Sequence, residues 1–287
     1  TPVVDAPEIN FDTTKGTMNG TEFIVKTKED DNNTKEGSHK IALGLITPKL
    51  SKDQTDKNGA AGDHPERNGE ITLKFTNGSS VSGAKLFNGN SEVANISSNN
   101  QEIKVVIVKT SGGTDIDTSY HHSGTLPEKG ANVLYLTKTG YENIKIQHKE
   151  DNDTDIKINI GITSYELDDN NKPLSSVPSS SVDKNMTVEI LPVTDNISIK
   201  WDNNSKGTIS NNDKTYTFTP VDKKQNTTLD IKAIMSNTNG AGTDTKPDLD
   251  GSEKRTYIVD GLPTGTKVTI GGQVVTVGAD GKATIVF

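Results

Sequence analysis

Short runs of alternating apolar and polar residues recur along the whole chain, and they constrain its fold more than any other feature. "TEFIVKT" (21–27), "EITLKFT" (70–76), "EIKVVIV" (102–108) and "DIKINIGIT" (155–163) are typical; "MTVEILPV" (186–193), "TLDIKAI" (228–234), "RTYIV" (255–259) and "KATIVF" (282–287) continue the series. A period of two buries one face of an extended strand, and Gly, Asn, Asp or Pro closes most runs. No stretch carries a helical stripe. Short strands at this spacing predict an all-β fold of the sandwich type. Residues 109–131 fit a loop or a single helical turn, and the Ser/Pro-rich "PLSSVPSSSVDKN" (173–185) reads as a loop before a last strand. Only 30% of the 287 residues are hydrophobic and 5% aromatic, which suits thin β layers with much polar surface.

An internal repeat organises the chain. Sliding it by 190 positions lays Pro2 on Pro192, Val3 on Val193, Asp5 on Asp195, Phe11 on Trp201 and Asp12 on Asp202; one insertion then lays Gly16 on Gly207. A second block, 69–93, resembles 252–275: Glu70 falls on Glu253, Gly78 on Gly261, Gly83 on Gly265, Lys85 on Lys267 and Gly89 on Gly271. Two blocks in the same order imply two copies of one module, 1–190 and 191–287. The first carries a long back half, 94–190, and nothing in the second matches 132–190. The second is therefore either cut inside the repeat or a short version complete in itself. The stiff, Pro-containing junction at "LPVTD" suits an end-to-end series of domains.

The formal net charge of -8 argues against nucleic acid or an anionic membrane surface as the main partner, and it suits divalent cations. The absence of cysteine removes disulfides and thiolate metal sites. No apolar run approaches the roughly 18 residues of a membrane span, and no signal peptide is visible at Thr1. The chain reads as a segment of something longer.

Acidic residues concentrate in "PDLDGSE". Asp248 and Asp250 fall on one side of a tight turn, with Gly251 free to take φ > 0, and Glu253 opens the next strand. Hard carboxylate oxygens at this density fit Ca²⁺, which takes six to eight oxygen ligands at about 2.3–2.6 Å. Asp244 and Asp195 are further candidate ligands. A solvated acidic turn fits the spacing equally well. The matching loop of the first module, "GDHPERNGE", keeps Asp63, Glu66 and Glu70 but not Asp-x-Asp-Gly, so a weaker or absent ion is expected there. Asp151, Asp153 and Asp155 alternate before a strong strand and would point the same way, towards one cation or as a charged, aggregation-blocking edge. Glu166, at that strand's far end, could approach a site near a domain end.

His121 and His122 are adjacent, but neither Cys nor a suitably spaced third His accompanies them, so a surface loop is the simpler reading than Zn²⁺. Nucleophile elbow, P-loop and zincin motifs are all absent. No carboxylate lies on an apolar stretch that would raise its pKa for glycoside hydrolysis, so the chain reads as no enzyme.

"PVVDAP", "LPVTD" and "DLDGSEKRTYIVDGLPTGTKV" together resemble the junctions and the Asp-x-Asp-Gly-Ser-Glu, strand, Gly-Leu-Pro-x-Gly block of tandem Ig-like repeats in very large RTX-type bacterial adhesins. "DTDIKINIGITSYE" is similar to the strand that follows. The resemblance covers most of the second module and both ends of the first. It implies Ig-like β-sandwich modules secreted by the type I route to the bacterial cell surface, with Ca²⁺ rigidifying repeats and junctions and with biofilm formation as the outcome. By position, Asp248, Asp250 and Glu253 fall on the family's acidic ligand block, and Asp5 and Asp195 on its junction aspartate. The broken block at 63–70 and the surplus at 94–131 depart from the pattern.

The leading expectation is a monomeric extender whose partners are neighbouring repeats of the same adhesin chain. The alternative is a Ca²⁺-dependent sugar- or peptide-binding module in 1–190, centred on 109–131 with Tyr120, His121 and His122, because long loops are often functional.

Overall fold

A computed structural model describes residues 4–29, 39–49, 66–120, 126–149, 152–168, 172–192 and 256–286, together with the backbone of 196–201, 208–210, 215–217 and 231–236. The fold is all-β. The chain divides into two compact units, Thr1–Val193 and Thr194–Phe287.

The first unit contains β1 (Thr17–Asn19), β2 (Glu22–Lys28), β3 (Ile41–Ala42), β4 (Glu66–Phe75), β5 (Lys85–Asn88), β6 (Ser91–Asn95), β7 (Gln101–Ile107), β8 (Val133–Leu136), a five-residue helix α1 (Lys138–Glu142), β9 (Ile144–Gln147), β10 (Ile156–Glu166) and β11 (Ser180–Leu191). Seven strands form one sheet in the order β1-β2-β11-β10-β4-β7-β8, and four form a second in the order β3-β9-β5-β6. Both sheets feed one hydrophobic cluster. Ile71, Leu73 and Phe75 of β4 and Ile156, Ile158 and Ile160 of β10 meet Leu86 of β5 and Ile144 and Ile146 of β9, all essentially inaccessible. Strand β10 shows why: "IKINIGI" alternates isoleucine inward with Lys157, Asn159 and Gly161 outward. Phe11 and Phe23 add a stacked pair with ring centroids 4.5 Å apart.

Two sequence expectations change here. β11 begins at Ser180, inside the expected loop 173–185, because Ser180–Asn185 pair with β10 from Ser164 back to Asn159. A ladder partner overrides a weak intrinsic strand preference. Among the described residues, the helix follows the ambiguous stretch. It is capped by Thr137, whose Oγ1 accepts the Gly140 N–H at 3.0 Å. Within 109–131, Ile116 and Leu126 close over Val106, Val108 and Tyr135 to make a small satellite core.

Strand register also places the two ends of the unit. The Asp5 N–H donates to Glu66 Oε1 at 2.6 Å, so the chain comes in beside the first residue of β4. It leaves past Leu191, the last residue of β11. Glu66 pairs with Glu166 at one end of β10, and Val188 pairs with Ile156 at the other. Ten strand residues separate these points, or roughly 30 Å at 3.3 Å per residue.

The second unit contains β12 (Asn196–Trp201), β13 (Thr208–Ser210), β14 (Thr215–Thr217), β15 (Ile231–Ser236), β16 (Thr256–Val259), β17 (Lys267–Ile270), β18 (Gln273–Thr276) and β19 (Ala283–Val286). Its pairings repeat those of the first unit in order. The β1–β2 hairpin, with Met18 opposite Phe23, returns as β13–β14, with Ile209 opposite Tyr216. β4 pairs with β7 around the β5–β6 hairpin, and β16 pairs with β19 around the β17–β18 hairpin. Among the described residues of the second unit, strands β8 to β11 have no counterpart.

Candidate functional site

Regular alternation along β4 would put Glu66, Asn68 and Glu70 on one face. A β-bulge prevents this. β10 advances two residues, Ile162 to Ser164, while β4 steps three, from Ile71 to Asn68. The bulge shifts the inward set from 71, 73 and 75 to 66 and 68, and it turns Glu70 outward. Glu66 is 3% exposed, whereas Glu70 lies at the outer surface with its Oε1 3.2 Å from Lys104 Nζ.

The bulge therefore builds a buried polar patch at the incoming end. Ser164 Oγ donates to Asn68 Oδ1 at 2.8 Å, and both residues are fully buried. Asn68 Nδ2 and the Tyr120 hydroxyl converge on the Pro48 carbonyl at 3.5 and 3.2 Å. Burial, followed by the nearby Asp117 charge, pushes the Tyr120 hydroxyl pKa well up, so it stays a neutral donor. Two register positions beyond, Glu66 and Glu166 lie directly opposite each other, each 3% exposed. Two carboxylates paired across strands repel unless a proton or a positive charge intervenes. The Asp5 N–H on Glu66 Oε1 is one such compensating dipole.

The sequence candidates thus part company. Asp5, Glu66 and Glu166 gather at the incoming end. Asp153 and Asp155 stand at the outgoing end, where Asp155 Oδ1 accepts the Ile190 N–H at 2.9 Å and extends the β10–β11 ladder by one bond. Asp153 precedes it in a turn closed by the Thr154 N–H on Asn152 Oδ1 at 2.8 Å. Tyr120 faces the core. Asp63, Asp151, Asp195, Asp244, Asp248, Asp250, Glu253, His121 and His122 lie outside the described residues. Among the described residues, no three His, Asp or Glu side chains converge as a cation site would require.

No family model, curated protein or solved structure matches the chain. Its function must therefore be read from its own residues.

Around the patch, the surplus segment is pinned in place. Lys138 Nζ reaches Asp117 Oδ1 at 3.1 Å and Ser119 Oγ at 3.3 Å. Thr47 gives both its N–H and its hydroxyl to Glu142 Oε1, at 3.0 and 2.7 Å. Burial pushes the Asp117 carboxyl up, but bonds from the Ser119 backbone and from Lys138 outweigh it and hold the pKa below the usual carboxylate range. Sequence reasoning named Glu66 and Glu166 but missed Asn68 and Ser164. The available signal was "RNGE", where a glycine interrupts a strand and marks a bulge.

Proposed function

We propose that this chain is a structural extender segment of a secreted bacterial cell-surface adhesin, built from tandem Ig-like β-sandwich modules and rigidified by Ca²⁺. Its role is to support cell adhesion and biofilm formation, without catalysis. The observation that carries this reading is the course of the chain through its first unit: in beside Glu66, out past Leu191, at opposite ends of the seven-stranded sheet. A module threaded from end to end transmits its length to whatever adjoins it.

Strand order supports the Ig-like part. In a constant-type Ig sandwich, strands C, F and G share one sheet, and B, E and D share the other. In chain order, β3, β4, β5, β9, β10 and β11 take the places of B to G, with β4-β10-β11 adjacent in one sheet and β3-β9-β5 in the other. Strands β6 to β8 and α1 then form an insertion between D and E, which is where the sequence exceeds an ordinary repeat. The Asp5–Glu66 bond supports the junction part, because it joins the junction aspartate to the residual acidic block.

Thermal unfolding in millimolar Ca²⁺ and in EDTA tests the mechanism. At a hundredfold excess over Kd, one site adds about 2.7 kcal/mol. For the second unit, Thr194–Phe287, that raises Tm on the order of 10–20 °C. The double variant Asp248→Asn/Asp250→Asn should lose most of the shift. Identical melting in Ca²⁺ and EDTA would sink the calcium mechanism.

A further inference from the structure

Gly161 sits in the middle of β10, the central strand of the seven-stranded sheet. A strand-interior glycine normally answers to a positive φ, a bulge, or the close approach of another group. Its φ is not positive. Its pairing is regular, with Thr72 on β4 and Asp183 on β11, and the bulge begins one residue later. Nor does crowding require it, since a Cβ built there meets no atom within 4 Å. Neither backbone conformation nor crowding requires this glycine, which points to approach from outside.

On the outer face the missing side chain opens a depression across three strands, walled by Glu70, Thr72, Thr163, Tyr165, Ser181 and Asp183. The walls are held in place. Thr163 Oγ1 and Ser181 Oγ are 2.7 Å apart. Asp183 Oδ2 accepts from Asn159 Nδ2 at 2.7 Å, and Glu70 Oε1 is 3.2 Å from Lys104 Nζ. Two carboxylates disfavour an anion, and four hydroxyls disfavour an apolar guest. Carboxylates accept hydrogen bonds, while hydroxyls both donate and accept. A tyrosine ring offers an apolar surface with a polar tip.

We propose that this depression binds a neutral pyranose, whose hydroxyls donate to Glu70 and Asp183 and exchange bonds with Thr72, Thr163 and Ser181 while the ring covers Gly161. The proposal rests on neither calcium nor the extender role, so it stands or falls separately from them.

Amide NMR of the full chain, titrated with glucose, galactose, mannose and N-acetylglucosamine, is the test. At least one sugar should shift the Gly161, Thr163 and Ser181 amides saturably. Gly161→Val places its Cβ where no atom lies within 4 Å, fills the depression, and should abolish the shifts at unchanged Tm. Should that variant lose its fold, Asp183→Asn at the exposed rim gives a second reading, with binding weakened about tenfold for one charged hydrogen bond. Silence with all four sugars overturns the proposal, as does undiminished binding by a folded Gly161→Val or by Asp183→Asn. Saturable shifts with a lysine-containing peptide alone would overturn it too, assigning the site to a cationic partner.

Discussion

The β5–β6 and β17–β18 hairpins are the same object in two settings. Each follows a glycine with positive φ, Gly83 at 100° and Gly265 at 86°, and each turns at another, Gly89 at 62° and Gly271 at 56°. Each is closed by the same pair of bonds: Gly83 N–H to Ile96 O and Ile96 N–H to Ala84 O in one, Gly265 N–H to Val277 O and Val277 N–H to Thr266 O in the other. The first hairpin is one residue longer, and the surplus is absorbed as a bulge at Val93. Their surroundings differ. β5 pairs with β9 and buries Leu86 completely, whereas the matching Val268 is only partly buried. Likewise Phe75 of β4 is inaccessible, while Ile258 at the matching place in β16 is 62% exposed. The glycines make the hairpin wherever it stands; β9, β10 and β11 supply the burial in the first unit.

That division can be tested by mutation. Leu86→Ala should cost about 2–5 kcal/mol, whereas Val268→Ala should cost well under half of that, because only the first leaves a cavity. Hydrogen exchange at the Ile96 and Val277 amides would read the two hairpins separately. Equal losses would show that burial does not distinguish them.

A smaller and symmetrical effect is expected at the turns. Gly89→Ala and Gly271→Ala should each cost about 1 kcal/mol, since an L side chain is disfavoured at positive φ whatever surrounds it. A cost at Gly89 alone would mean that tertiary packing, not turn chemistry, shapes the hairpin.

The smallest effect concerns the insertion anchored beside the first hairpin. The folded pKa of Asp117 lies below its unfolded value of about 3.9. Its contribution to stability is therefore complete above that value and disappears as pH falls through the folded pKa. Urea midpoints of the native chain and of Asp117→Asn should differ near neutrality and converge as pH falls through the folded pKa. A constant difference would show that the Asp117–Lys138 pair has no such linkage.

Much of the strand pattern was legible because alternation is a local code: β2, β4, β7, β10 and β16 all overlap runs read from the residues. β9, only four residues long, and the start of β11 in a Ser/Pro-rich stretch were not, because their strand character comes from a partner far along the chain. The candidate site followed the same rule. Carboxylate-rich loops announce themselves, but a single bulge decides which carboxylates share a face.

By itself, the sequence determined that the chain is built of strands, that two blocks recur, and that Gly89 and Gly271 stand at matching places in them; alternation and repetition are local properties. Tertiary structure decided which of those strands are buried, that Glu66 meets Glu166 while Glu70 faces Lys104, and that the chain crosses its first unit from one end to the other. Register and sheet order depend on partners distant in sequence, and no short stretch of residues encodes them.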